Sequence, residues 1–355
     1  MLCDRHGQDA VWFNPSRRQP ERQRGVSFLT MPEQTYLEAI RSGLYEEMSR
    51  DSSIYLFGED VALGGPFGVT NGLAEAFGKN RVVNTPISEG TVMGLAIGAA
   101  SVGLRPVVEI MFIDFITLAM DQLVNHAAKL HYMSGGQLKI PLTIRVQCGI
   151  SGNMGAHHSQ SVESWLMHVP GLKVVMPANP EDAKGLVKAA IRDDNPVVFI
   201  EHRGLYRTGG QVSEDDHLVP IGAAWVARAG SDLTIVATAR LVAMALEAAE
   251  QLASNGISVE VIDPRTLSPL DVGTIVSSIK KTSRLVIAHE AIEQAGVGAE
   301  IATRVQQEAI YYLDGPILRV AAPFSPVPAS PALEKRFLPG KDRIIDAARK
   351  VLGKT

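Results

Sequence analysis

A chain of 355 residues with 46% hydrophobic and 20% charged residues is long for one core, and its composition is that of an ordinary globular protein with two domains. The net charge of -4 gives no reason to expect nucleic acid or an anionic membrane as partner. The two distant cysteines, Cys3 and Cys148, do not make a disulfide framework and fit a reducing, cytoplasmic setting.

In chain order, residues 1–30 stand apart. Ser16 to Arg24 holds four arginines, Pro20 and no large apolar residue, whereas a secretory signal needs an apolar run. Asp4, Asp9 and Glu21 are out of place in a transit peptide, so the segment reads as a disordered tail. Leu37, Ile40, Leu44 and Met48 give Thr35 to Arg50 a helical period. Ile54 to Phe57 is a short buried strand ending in Gly58-Glu59-Asp60, and Gly64, Gly65, Pro66 and Gly68 mark a loop. Arg81 to Asn84 is another strand. Thr85-Pro86-Ile87-Ser88 then leads into a helix from Glu89 to Val102, with Ser88 as N-cap.

Arg105 to Met111 reads as strand and Phe115 to Tyr132 as helix. The apolar stretch Val92 to Ile113 is broken by Arg105, Pro106 and Glu109, so a protein core explains it better than lipid does. Leu142 to Val146, Lys173 to Met176 and Val197 to Glu201 are buried strands, with helices at Ser161 to His168 and Pro180 to Arg192. This alternation predicts a doubly wound α/β domain with a mostly parallel sheet. Tyr206 to Pro220 is polar and aperiodic and is placed as a linker between domains at 31–205 and 221–355. Strands at Leu233 to Ala237, Ser258 to Ile262, Leu285 to Ala288 and Ile317 to Val320, with a helix at Leu241 to Ala253, make a second α/β unit.

Ligands of open α/β sheets bind beyond the carboxyl ends of strands. Three polar clusters fall there: Gly58-Glu59-Asp60, Ser88-Glu89 and Ala156-His157-His158-Ser159-Gln160. No glycine-rich phosphate loop, C-x-x-C or H-E-x-x-H occurs, which argues against a stand-alone nucleotide-binding or zinc enzyme. His158-Ser159 does not suggest a hydrolase, because adjacent strand residues point apart and no G-x-S-x-G elbow exists.

Several blocks occur in a familiar order. They are Thr85-Pro86-Ile87-Ser88-Glu89, Gly103-Leu104-Arg105-Pro106, Phe112 to Phe115 with Asp121-Gln122, and Met133-Ser134-Gly135-Gly136. His158-Ser159-Gln160-Ser161, His168 to Val175, Asp182 to Leu186, Ile191-Arg192-Asp193 with Asn195-Pro196, and Ile262-Asp263 with Arg265-Thr266 continue the series. From about residue 32 to the C-terminus the chain resembles the beta subunits of thiamine-diphosphate-dependent pyruvate, branched-chain 2-oxoacid and acetoin dehydrogenases. The resemblance implies a pyrimidine-binding domain followed by a transketolase C-terminal-like domain. It implies oxidative decarboxylation of a 2-oxoacid, or cleavage of acetoin, with reductive acylation of a lipoyl group.

Glu89 matches the family's glutamate that shares a proton with the cofactor's pyrimidine nitrogen. A carboxyl partly buried between a strand and an apolar helix suits that task. On spacing alone a first-turn glutamate favoured by the helix dipole is the better reading. Phe115 matches the aromatic that packs on the pyrimidine, and Met111 lines the same pocket; residue type alone says only core packing. His158 matches a histidine that faces substrate and protonates a lipoyl sulfur, a task suited to a group titrating near neutrality. His157 stands where many relatives carry glutamine. Glu59 matches a carboxylate in a proton relay between active sites, or it caps its own loop. Leu142, Ala190, Ile191, Asp193 and Asn195 match a structural monovalent-cation site, potassium being the candidate; oxygen ligands suit such an ion, and a plain turn would account for them too.

One part of the family's machinery is missing. The relatives' diphosphate and magnesium site begins Gly-Asp-Gly, and no Gly-Asp-Gly occurs in this chain. The resemblance therefore implies an alpha subunit that binds magnesium and the diphosphate, an α2β2 assembly, and a lipoyl-bearing acyltransferase docking on the C-terminal domain. A transketolase half enzyme and a non-catalytic scaffold are the competing readings. The His158 and Arg265-Thr266 blocks argue against the first, and intact Glu89 and His158 against the second. Glu201-His202 and Pro323 to Pro328 look slightly more like the acetoin type. Gly94 and Gly98 weaken the helix from Glu89 by roughly 1 kcal/mol each, so they need close packing, within the domain or against another subunit.

Overall fold

The computed structural model describes residues 32–353; the tail expected over residues 1–30 lies outside the described residues. The first half of the chain runs β1 (Glu33–Thr35), α1 (Tyr36–Arg50), β2 (Ile54–Gly58), α2 (Leu73–Phe77), β3 (Val82–Asn84), α3 (Glu89–Ser101), β4 (Arg105–Ile110) and α4 (Leu130–Met133). It continues with β5 (Thr143–Cys148), α5 (Glu163–Met167), β6 (Lys173–Val175), α6 (Pro180–Arg192), β7 (Val197–His202) and β8 (Gly209–Gln211). The second half runs β9 (Trp225–Arg228), β10 (Leu233–Ala237), α7 (Arg240–Ala253), β11 (Val259–Asp263), β12 (Thr266–Ser268) and α8 (Val272–Thr282). It ends with β13 (Leu285–Ile292), α9 (Val297–Ala309), β14 (Leu318–Ala322), α10 (Pro331–Phe337) and α11 (Lys341–Val351).

Two sheets form. The larger has the order β12-β6-β7-β5-β4-β2-β3 and the smaller β14-β13-β10-β11-β9. Neighbours are parallel except at the edges, where β12 and β9 run antiparallel. The short strand β12 belongs by sequence to the second half but pairs with β6 of the larger sheet, tying the two halves together. β5 and β7 are buried at every position, as parallel strands covered on both faces must be.

Helix α1 begins with a capping box: Thr35 accepts from the Glu38 N–H at 3.2 Å and Glu38 accepts from the Thr35 N–H at 2.8 Å. α1 and α6 pack closely, because a Cβ on Gly43 would stand 2.5 Å from Val187 Cγ1. Buried Glu47 sits in this joint and binds Arg192 at 2.6 Å. The stretch expected as linker lies along α6. Ser213 donates its N–H to Glu181 at 2.7 Å, and Asp216 meets Lys188 and Arg192.

The expected helix from Phe115 to Tyr132 is not one regular helix. It is a tight 3-10 turn over Ile113–Ala119, a wide π turn over Gln122–Ala127, and then α4. The segment carries no Pro or Gly. Its winding adapts to α3, whose Gly90 would bring a Cβ within 3.1 Å of the Leu118 carbonyl and 3.5 Å of Gln122 Oε1.

A polar group is threaded through the middle of the larger sheet. Arg145 on β5 lies in register with Glu109 on β4, and Glu201 on β7 lies opposite Gln147. Arg145 is fully buried and reaches Glu109 Oε2 at 2.6 Å and Glu201 Oε1 at 2.7 Å. The Tyr206 hydroxyl donates to Glu201 at 2.7 Å. Burial alone would lower the Arg145 pKa, but Glu201 and Glu109 more than offset it and hold the guanidinium charged. Removing the cation would strand two buried carboxylates. Arg145→Met is therefore expected to lose about 3–5 kcal/mol of stability, read by urea unfolding; a loss below about 1 kcal/mol, within the range of an ordinary substitution, would show the network to be dispensable.

Candidate active site

The parallel strands β2, β3, β4, β5 and β7 end at one edge of the larger sheet, so the segments that follow them converge. Glu59 follows β2, Glu89 opens α3 after β3, and Met111 and Phe115 follow β4. His158 stands in the loop after β5, and Arg203 follows β7 directly.

Glu89 is 8% exposed, and no hydrogen bond to its carboxylate forms among the described residues. Ser88 occupies the N-cap position but does not cap, contrary to expectation; its hydroxyl donates to Thr91 Oγ1 at 2.7 Å instead. The uncapped first turn leaves the positive end of the helix dipole beside Glu89. Glu59 is half-buried, and its carboxyl is pushed up by burial first, then by the charges of Glu89 and Asp60. Glu59 and Glu89 are thus electrostatically coupled across the ends of two neighbouring strands. Thr85 Oγ1, just before α3, is buried without a partner.

Phe115 is half-buried in an aromatic group. Its ring meets the Phe112 ring edge-on at 5.8 Å and the His158 ring edge-on at 5.5 Å. His158 also lies 4.8 Å from Phe112, again edge-on. Met111 is half-buried at the end of β4. His157, next to His158, is exposed. Gly149 begins the His158 loop with φ +88°, where a Cβ would stand 2.3 Å from His202 Nε2.

The candidate cation ligands lie at the opposite edge of the sheet. Leu142 precedes β5, while Ala190, Ile191, Asp193 and Asn195 end α6 and lead into β7. Arg105 Nη1 donates to the Ile191 and Asp193 carbonyls at 3.1 Å each. The Leu142 carbonyl accepts from Val197 at 2.9 Å, and the Asp193 side chain pairs with Lys173 and takes two bonds from Asn195. Among the described residues, no group of three or more His, Cys, Asp or Glu is placed to hold a metal ion.

Residues that sequence reasoning gave no role prove to anchor the site. Asp114 is buried and accepts from the Gln160 side chain at 2.8 Å, which holds the end of the His158 loop. Glu290 on β13 accepts the Ile150 N–H at 2.5 Å and lies 3.1 Å from His202 and 3.5 Å from Arg240, joining the loop to the second half of the chain. Asp114 sits inside a quoted block, and the run Glu201-His202-Arg203 ends a buried strand in three charged or titratable residues, which was the available signal. Glu201 and His202, which leaned toward the acetoin type, are both fully buried in these supporting bonds. A cavity of about 920 Å³ runs behind the loop, walled by Trp165, Phe324 and Phe337, with Ser159, Ser161 and Glu290 as polar lining. It is lined by the other face of the loop and not by Glu89, Phe115 or His158.

Residues 33–209 match the transketolase pyrimidine binding domain family and residues 222–344 the transketolase C-terminal domain family. The beta subunit of acetoin:2,6-dichlorophenolindophenol oxidoreductase from Bacillus subtilis is 44% identical, over 89% of this chain and 96% of its own length. The pyruvate dehydrogenase E1 component subunit beta of Rickettsia felis is 48% identical, over 89% of this chain and 98% of its own. Among solved structures, a split gene transketolase described as an inactive beta4 tetramer aligns with a TM-score of 0.75 and 25% identity, covering 90% of this chain and 98% of that one.

Glu163 at the start of α5 is buried, with Oε2 unpartnered, and burial pushes its carboxyl up to about 7, the Glu290 charge adding to the rise. The folded chain keeps this proton up to about pH 7, while an unfolded glutamate releases it near 4.5. Folding then binds a proton across that window, so this group's contribution falls as pH rises from 4.5 to about 7 and is level above. Glu163→Gln is expected to gain on the unsubstituted protein through the same window, by up to about 3 kcal/mol. Parallel pH–stability curves for the two proteins would remove the argument.

Proposed function

The chain belongs to the family of pyruvate and acetoin dehydrogenase beta subunits, and from that membership we propose how it works. With an alpha subunit it carries out thiamine-diphosphate-dependent oxidative decarboxylation of a 2-oxoacid, or cleavage of acetoin, and reductive acylation of a lipoyl group. The observation that carries the assignment is Glu89: a buried carboxylate at an uncapped helix start, with no partner of its own among the described residues. The 3-10 turn bearing Phe115 packs on that first helical turn, since Leu118 closes on Gly90. These residue types fit the pyrimidine half of the cofactor.

When bound, thiamine diphosphate supplies a thiazolium carbon that becomes a nucleophile on losing its proton. Glu89 would hold a proton at the pyrimidine ring nitrogen, and the surrounding protein would keep water from that bond. Phe115 and Met111 would wall the ring. His158 would face substrate and deliver a proton to a lipoyl sulfur. Glu59, coupled to Glu89, would pass protons toward a second active site.

The diphosphate and its magnesium are assigned to the alpha subunit, because this chain has no Gly-Asp-Gly. An α2β2 assembly is supported by α3, whose Leu95 is 51% exposed beside Gly98, where a Cβ would meet nothing within 4 Å. Internal packing does not account for that glycine, whereas a partner helix would. The domain boundaries proposed are 31–205 and 221–355, and a lipoyl-bearing acyltransferase is proposed to dock on the second. A potassium ion at Leu142, Ala190, Ile191, Asp193 and Asn195 would share two carbonyls with Arg105, using their second lone pairs. Among the described residues Cys148 is buried and unpaired, which fits a reducing, cytoplasmic setting, and no helix is long and apolar enough to cross a membrane.

Glu89→Gln keeps the shape and removes the ionisable oxygen. In the assembly with the alpha subunit, its kcat is expected to fall by roughly 10²–10³-fold with unfolding unchanged; full activity would sink the assignment.

A further inference from the structure

We propose that Arg203 is a positioning residue for His158, fixing the loop that presents the imidazole. The loop from Gly149 to Gln160 needs fixing. Gly149, Gly152, Asn153 and Gly155 all have left-handed backbone angles, so no strand ladder can run through it. Its two ends meet through the Gly149 N–H and the Gln160 carbonyl at 3.2 Å, and Asp114 holds Gln160. Between those ends the His158 N–H makes a long backbone bond to the Gly155 carbonyl, at 3.5 Å.

Arg203 supplies the missing restraint. It follows β7 in a single 3-10 turn, so the sheet sets its backbone. Its Nη2 donates to the Gly149 carbonyl at 2.7 Å and also to the His158 carbonyl, joining the start of the loop to the catalytic candidate itself. The guanidinium carbon lies 5.0 Å from the centre of the Phe112 ring and 5.9 Å from that of Phe67. Phe112 is the ring on which His158 rests edge-on. One cation therefore fixes the His158 backbone by a hydrogen bond and its ring through the shared aromatic.

Arg203 is 7% exposed, and burial lowers its pKa, yet no ion pair to a carboxylate forms among the described residues. A buried cation without a counter-ion is costly to the fold. The geometry needs a donor that reaches two carbonyls while laying a flat face on the ring; arginine and lysine can both donate, but only arginine has the flat face.

The proposal rests on the role given to His158, and the test separates the two. The assembled enzyme is assayed in two ways, with a lipoyl acceptor and with the dye 2,6-dichlorophenolindophenol, which takes electrons without a lipoyl sulfur. Arg203→Met is expected to lower the lipoyl-dependent kcat roughly 10–100-fold more than the dye-linked kcat, with KM for the 2-oxoacid changed little. Arg203→Lys, which keeps a cationic N–H donor but loses the planar face, is expected to recover part of that ratio. If Arg203→Met fails to assemble, the lysine variant is read by the same ratio. Equal losses in both assays, or none, would overturn the positioning role. His158→Asn is run alongside. A full lipoyl-dependent rate in that variant would overturn the reading of His158 and the proposal with it. Loss in His158→Asn with no shift in the Arg203 ratio would overturn the proposal alone.

Discussion

Arg145 holds the larger sheet to a single register. Its side chain spans from β4 to β7 through the middle strand β5, and both its bonds go to carboxylates that are themselves buried. A one-residue slip of β5 would turn Arg145 to the other face and leave Glu109 and Glu201 unpaired in the core. Apolar strands such as these carry little register information, because every position is buried whichever way the strand slides. The polar triad supplies it. The register in turn decides where β4, β5 and β7 end, and those ends carry Met111, the His158 loop and Arg203.

From that fixed edge the site is built in two ways. Glu89 is set by a helix start and depends on the Thr85 to Ser88 turn and on α3 packing against the 3-10 turn. His158 is set by a loop and depends on side chains from β7, from the turn after β4 and from the second sheet. Glu290 reaches across from β13 to the Ile150 N–H, and β12 crosses back to pair with β6. The second α/β unit thus stabilises the loop that carries His158 as well as offering a surface of its own. This differs from a simple division of a chain into a catalytic and a docking half.

The sequence made the strands and their order of appearance readable because buried parallel strands are short apolar runs bounded by glycine and charge, as in Ile54 to Gly58 and Leu233 to Ala237. Glu89 and His158 stood out as candidates for a different reason: their neighbours form blocks shared with a family. Arg203 and Asp114 were not, since each acts on a carbonyl or amide distant in sequence, and nothing local marks an arginine as buried. β12 was hidden because three residues, Thr266 to Ser268, have no period. The irregular winding from Ile113 was hidden because it is imposed by α3 from outside the segment. Ser88 shows the limit of local rules: its position is that of an N-cap, but its hydroxyl turns to donate to Thr91 and accepts no helix N–H.

Some of the unpartnered polar groups gather at one edge. Among the described residues Glu89 has no side-chain partner, Thr85 Oγ1 and Gln122 Oε1 are buried and unbonded, and α3 leaves Leu95 exposed and Gly98 bare. All four elements belong to the edge where α3 meets the ends of β3 and β4. Buried polar groups are rarely left unsatisfied in a finished structure, and exposed apolar residues beside a bare glycine rarely serve a free surface. Both deficits are met at once if another chain lies on α3 and closes a ligand against Glu89. On the proposed reading, the edge that carries the candidate carboxylate Glu89 is thus also the edge that a partner chain would complete, which would account for such a carboxylate in a chain with no Gly-Asp-Gly.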